Sequence, residues 1–275
     1  AALDLTSGAI GSAQRLALAT GETLEAVFAL PPTAQAQPTQ ASCEHVATTE
    51  NGRVVSFNRA APGKLCSSAT ITGLDGGEEI VGADVRPVDG LLYGLGSQGR
   101  LYTIAVATGA ATLRSTLSAD AADDSEPYFA LVGAQFGVGF NPVPDRLLVI
   151  SDTGVNLRIN PDTGATTTDI ALNPGAPSVT AAAYTNSLAG AKATTLYALD
   201  TTADALVRIG GDPATSDACT DTETTNPNCG VIVSVGALGA GGDVGQINGF
   251  DIDGRTGAAL AALSIGEATT STLMS

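Results

Sequence analysis

Apolar and polar residues alternate along most of this chain in short runs of roughly five to eight residues, and the runs end in Gly, Asn, Asp or Thr-Gly turns. Alternation with period two between such turns predicts β-strands joined by hairpins. The three-and-four spacing of an amphipathic helix is not sustained. The stretch "SAQRLALATGETLEAV" comes nearest, and Thr20-Gly21 interrupts it.

The strands recur as a unit. Five segments share small or apolar alternation followed by a turn, often with Pro: "TLEAVFALPP" from Thr23, "EIVGADVRPV" from Glu79, "AQFGVGFNPV" from Ala134, "SVTAAAYTNS" from Ser178 and "QINGFDIDGR" from Gln246. Two of them share a lead-in, "GETLEAVFALPP" and "GEEIVGADVRPV". After the second and third come "LLYGLGSQGRLYTIAVATGAATL" and "RLLVISDTGVNLRINPDTGATTT", each supplying three more strands. Four strands repeated about every 55 residues predict an all-β fold, a β-propeller of five four-stranded blades. The alternatives are a β-sandwich with accidental similarity, or a sixth, irregular blade hidden in the uneven spacing.

The fifth unit is short. It offers a first strand near Ile247–Ile252 and a second near Ala258–Ser264, then begins a third at "STLMS" and ends. The chain's opening, "AALDLTSGAIGSAQRLAL", supplies matching material, because "LDLTSGA" parallels "INPDTGA" and "IAVATGA". Residues 1–18 are therefore expected to complete the last blade, with 19–275 as the propeller body of a single domain. The completing strands can come from the same chain, or from a neighbour by strand addition, which propagates as a filament. A trimmed or permuted piece of a longer array is the third reading. Leu3, Leu5, Leu16, Leu18 and Leu273 are the expected apolar contacts of this joint.

Composition narrows the partners. Twelve basic against 28 acidic residues give a net charge of −16, which repels nucleic acid and anionic lipid. No run approaches a membrane span, and the opening reads as a mature or trimmed start. Cys43 with Cys66, and Cys219 with Cys229, lack metal-ligand spacing. An even count in short loops predicts two disulfides, local pairing being favoured, and an oxidising compartment.

Candidate chemistry is sparse. The single histidine, His45, has no nucleophile motif around it and reads as a strand residue. Asp84 and Asp251 share one repeat position, with Arg86, Asn141 and Asp253 two residues further on, so alternation directs all five toward the channel as a ligand-binding set. The acidic pair could serve glycoside hydrolysis, although the chain has no tryptophan for sugar stacking. Asp120, Asp123, Asp124 and Glu126 gather in one loop and are candidate calcium ligands; a solvated acidic loop is the default, and no other cofactor is expected.

The segments "TTENGRVVSFN", "GADVRPVDGLLYGLGSQGRLYTIAVATGAAT" and "GVGFNPVPDRLLVISDTGVNLRINPDTGATT" resemble a family of secreted bacterial proteins known only as a domain of unknown function with a propeller-like fold. The resemblance spans about His45 to Leu273 and implies an extracellular bacterial origin, at the cell surface or in its matrix, but no reaction. More than forty residues precede the usual start, and the Cys219–Cys229 loop looks like an insertion. The expected function is thus a non-enzymatic structural or adhesive propeller, partnered by itself. A module binding a surface glycan or small ligand is the first alternative, and a hydrolase the second.

Overall fold

The computed structural model describes residues 3–10, 13–15, 18, 22–30, 43–123, 126–210, 226–266 and 272–274. Its strands run in chain order as follows. Near the N-terminus lies β1 (Ala13–Arg15). Blade 1 holds β2 (Leu24–Ala29), β3 (His45–Thr49), β4 (Arg53–Phe57) and β5 (Leu65–Thr70). Blade 2 holds β6 (Ile80–Val85), β7 (Leu92–Gly96), β8 (Arg100–Ile104) and β9 (Ala111–Thr116). A short β10 (Ser118–Ala119) precedes blade 3, which holds β11 (Phe136–Asn141), β12 (Arg146–Ser151), β13 (Asn156–Ile159) and β14 (Ala165–Thr168). Blade 4 holds β15 (Val179–Tyr184), β16 (Leu196–Asp200), β17 (Ala205–Ile209) and β18 (Ile232–Ala237). Blade 5 holds β19 (Val244–Ile252), β20 (Ala259–Ile265) and β21 (Thr272–Met274).

Each blade is an antiparallel meander, and β1 adds beside β21 as the fourth strand of blade 5. The first strands β2, β6, β11, β15 and β19 touch one another in sequence, and β19 returns to β2. The ring therefore closes with five blades, and no sixth is found among the described residues.

Small residues on the first strands follow from this geometry. Five strands converge on one axis, so their backbones approach closely. A β-carbon at Gly249 would lie 2.9 Å from the Ala26 carbonyl carbon of the next blade, and one at Gly137 would lie 3.0 Å from that of Ala181. The larger apolar residues fill five clusters, one per seam between blades. Tyr93, Leu95, Phe140 and Leu147 pack between blades 2 and 3, and Val27, Phe57, Leu260 and Ala262 between blades 5 and 1. Full burial of each such large side chain contributes roughly 1.5–3 kcal/mol.

The Thr-Gly turn has a defined task. Gly109 and Gly164 adopt φ of 73° and 78°, and a β-carbon on either would collide with the carbonyl oxygen of Thr70 or Thr116 in the preceding blade. Just beyond each turn, the connector leaving one blade bridges in parallel to the outer strand of the next, at Thr72 with Ala110 and Ser118 with Ala165. Asn173 and Val231 repeat that bridge between blades 3 and 4. The glycine is what lets one blade's outer edge lie against its neighbour's.

Blade 5 is completed from the N-terminus of the same chain. Thr272 and Met274 pair with Leu263 and Ala261 of β20, and Leu3 pairs with Ala259. Its third strand is thus built from both chain ends, with Leu260 opposite the junction. Asp4 N–H donates to Ala9 at 3.0 Å and Gly8 N–H to Asp4 at 2.8 Å, matching Asn160 to Ala165 at 2.9 Å and Gly164 to Asn160 at 2.8 Å. The turn that begins with "LDLTSGA" therefore has the geometry of the interior Thr-Gly turns. Leu3 and Leu5 pack in the seam of blades 4 and 5, and Leu18 in that of blades 5 and 1. Leu16 lies outside the described residues, and the Leu273 backbone pairs with Ala262 and Gln14.

Cys43 and Cys66 form a disulfide that ties the entry of β3 to β5. Cys229 is also disulfide-bonded, while Cys219 lies outside the described residues. The shared lead-in "GE" has a structural meaning as well. Buried Glu22 accepts from Arg53 at 2.6 Å and from Thr49 at 2.7 Å. Its counterpart Glu78 accepts from Tyr102 at 2.6 Å, Gln98 N–H at 3.0 Å and Arg100 at 3.2 Å. In both blades the arginine opens the third strand, so a buried carboxylate staples the blade's inner entry to its outer half.

Candidate functional site

The C-terminal ends of the first strands surround one mouth of the axial channel. Ala29 and Leu30, Asp84 to Pro87, Ser187 and Leu188, and Asp251 to Arg255 line it. The cleft measures about 370 Å³ out to open solvent, but the space enclosed within it is only water-sized. Asp84 and Asp251, brought together here as the repeat alignment anticipates, are half-buried. Asp84 accepts from Val85 N–H and, in blade 3, from Phe140 N–H, both at 2.6 Å. Asp251 accepts from Ala29 N–H of blade 1 at 2.5 Å. Each carboxylate therefore bridges its own blade to the next.

Crowding shifts both acids. Burial, then the charge of Asp251, raises Asp84 well above the usual carboxylate range despite its two amide donors. Burial likewise pushes Asp251 up to about 6. Two neighbouring acids that both hold their protons to higher pH than usual are the raw material of proton transfer. Here, however, each has an oxygen committed to a backbone amide of the neighbouring blade.

The other residues of the expected set do not converge with this pair in the same way. Asp253 lines the mouth, but it caps its own turn, accepting from Arg255 N–H at 2.8 Å and pairing with that guanidinium at 3.2 Å. Burial would raise it, and Arg255 more than offsets this, leaving it below the ordinary value. Asn141 ends β11 and accepts from Val143 N–H at 3.1 Å. Arg86 is turned into the seam between blades 2 and 3. It donates to Asp145 at 2.9 and 2.5 Å, to Asp162 at 3.1 and 3.0 Å, to Tyr93 at 3.2 Å and to Asp89 at 3.3 Å. Its guanidinium also lies 5.8 Å from the Tyr93 ring centroid. Hydrogen bonds from Arg86 and Arg114 hold Asp162 down at about 2. Alternation placed Arg86 on the channel face, but β6 ends at Val85 and alternation ends with it.

At the opposite end, Glu25 enters a constriction lined by Gly82, Phe136, Ala181, Asn248 and Phe250. Burial, with repulsion from Glu50 and Glu79, pushes its carboxyl up to about 8. The sequence signal was a lone acid inside an apolar strand. His45 is buried beside Phe57, with ring centroids 5.7 Å apart, and burial lowers its basicity. In the acidic loop, Asp120 accepts from Ala122 N–H at 3.0 Å and Asp123 from Thr168 N–H at 2.9 Å. Glu126 is exposed, and Asp124 lies outside the described residues. Among the described residues, no three His, Cys, Asp or Glu side chains gather to hold a metal ion.

Residues 53–275 match the family profile described as a domain of unknown function, DUF4394. The chain belongs to the DUF4394 family. No curated protein sequence matches it significantly. Among solved structures, this DUF4394 chain is similar to the glutaminyl cyclase of Myxococcus xanthus, at 14% identity and a TM-score of 0.53, over 96% of this chain and 93% of that one. It is also similar to the Malassezia sympodialis allergen Mala s 1, at 9% identity and a TM-score of 0.47, over 88% and 72% of the two chains. An auxiliary nutrient binding protein of Bacteroides ovatus shares 12% identity over 84% of this chain and 56% of that one, with a TM-score of 0.46. At these identities the likeness is one of fold.

Proposed function

We propose that this DUF4394 chain is a non-enzymatic, extracellular structural or adhesive propeller whose divided fifth blade joins copies by strand addition. The observation that carries this reading is the third strand of blade 5, assembled from Thr272–Met274 and Leu3 with β1 outside it. Leu3 and β1 of a second copy carry the same pairing groups and can take the same place. Such an exchange is heterologous and does not close on itself, so it propagates. The Cys43–Cys66 disulfide supports an oxidising compartment, and no helix among the described residues is long and apolar enough to cross a membrane. Against catalysis stand the amide-anchored carboxylates and the carboxylate-saturated Arg86.

Gln14 and Leu273 are direct strand partners, so the double variant Gln14→Cys, Leu273→Cys tests the reading. Oxidation followed by a non-reducing gel should give a ladder of covalent multimers at assembly concentrations. A cross-linked monomer as the sole product at every concentration would overturn it.

A second reading, capture of a small cationic or hydroxylated ligand at the channel mouth, is favoured by the paired Asp84 and Asp251. Calorimetric titration with monosaccharides and small amines should then show a ligand whose affinity drops at least tenfold on Asp251→Ala. Heats indistinguishable from dilution across both series would remove this reading.

A further inference from the structure

We infer that the two faces of the propeller disc dock on each other, stacking copies of this chain head to tail along the channel axis. The inference rests on the self-assembly reading and adds the surface through which copies meet. On the face where the first strands begin, the connector from β10 to β11 presents Phe129 at 96% exposure and Val132 at 55%. Tyr128 and Leu131 of the same connector pack into the seam of blades 2 and 3 and anchor it. A phenylalanine held in water on an anchored loop forgoes the free energy that burial of its ring would supply. The pattern is that of a contact awaiting its partner.

The complementary surface lies on the other face. There, loops from the first to the second strands surround the channel mouth and expose Val88, Leu91, Val143 and Leu188. Phe129 cannot fold onto them, since a six-residue first strand such as β11 separates the two faces by about 20 Å. Only a second molecule brings them together.

Charge selects the orientation. On the face bearing Phe129, exposed Glu50, Glu79, Glu126 and Asp243 have no ion pair among the described residues. Arg53 and Arg100 on that face are already held by buried Glu22 and Glu78. On the opposite face Arg146 donates only to the backbone carbonyls of Pro144 and Asp145, and exposed Lys192 has no carboxylate partner among the described residues. An acidic face against itself is repelled, whereas head-to-tail stacking sets carboxylates over Arg146 and Lys192.

The test pairs two surface variants, Phe129→Asp with Val132→Asp, and Val143→Asp with Leu188→Asp. Their strand content, followed by circular dichroism, should match the parent. Light scattering and electron microscopy should show the parent forming long particles and each variant alone remaining near 27.2 kDa. An equimolar mixture should stop at pairs, because one intact face of each kind remains. Fibres from both variants equal to those of the parent would overturn the docking surface while leaving strand addition standing. A parent that stays at 27.2 kDa at all concentrations would overturn both.

Discussion

Leu3 lies opposite Ala259, two positions along β20 from the pairing of Met274 with Ala261. One strand of the fifth blade is therefore built from two segments at opposite ends of the chain. Leu3 is 2% exposed in the seam between blades 4 and 5. Leu3→Ala should lower stability by about 2–3 kcal/mol in urea unfolding. Replacement of neighbouring exposed Thr6 by Ala should change it by less than about 0.5 kcal/mol. Equal effects at the two positions would mean that Leu3 does not hold the seam.

The channel acid Glu25 sets a pH dependence. Its folded carboxyl, pushed up to about 8 by burial and by Glu50 and Glu79, keeps its proton to a higher pH than in the unfolded chain, where 4.5 is usual. The folded form is then favoured as the pH falls, fully below about 4.5, and the advantage is lost as the pH rises through about 8. Glu25→Gln should melt higher than the parent above pH 8, by on the order of 2 kcal/mol, and equal it near pH 4. Thermal melts across that range check this, and a constant offset between the two proteins would contradict it.

Asp251 should act in the same direction over a lower window. Raised to about 6 by burial, it destabilises the folded chain when ionised, and protonation between about 6 and 3.8 removes that cost. Asp251→Asn keeps an oxygen for Ala29 N–H and loses the charge. It should stabilise at pH 7 by on the order of 1 kcal/mol and give no gain at pH 3.5. Destabilisation at both pH values would show that the amide bond to blade 1 requires the full charge.

Arg86 should be among the most sensitive positions outside the apolar seams. Removing it strips Asp145 and Asp162, on two turns of blade 3, of the cation that ties them to blade 2, leaving only Arg114 beside Asp162. Arg86→Ala should cost about 3–5 kcal/mol. Arg86→Lys should recover little of this, because an ammonium cannot reproduce the two forked contacts. Denaturant titration of both variants decides it, and a Lys variant with parental stability would refute the forked role.

The strand repeats, the Thr-Gly turns and the divided blade were legible because each leaves a periodic or local mark. Glycine recurs where one outer edge crosses another, and "LDLTSGA" carries the same spacing at the N-terminus as "INPDTGA" inside blade 3. Asp84 and Asp251 were legible for the same reason, sitting at one repeat position within regular strands. Arg86 was misplaced because period-two reasoning was carried past Val85, where the strand ends and a turn swings the side chain into a seam. Its partners Asp145 and Asp162 come from two turns of the following blade, and no local pattern relates them to it. The shared "GE" lead-in was visible, but its meaning lay in the arginine that opens the third strand, in "NGR" and "QGR". Pairings between strands of one blade outrun sequence spacing alone.

The parallel bridges at Thr72 with Ala110, Ser118 with Ala165 and Asn173 with Val231 have a mechanical consequence. Each bridge joins the connector leaving one blade to the outer strand of the next, so that outer strand cannot peel away without also freeing its neighbour's connector. A pull on a single blade is shared with the next before either unravels. From blade 1 to blade 4 the outer edge is laced, each blade fastened to the next by backbone.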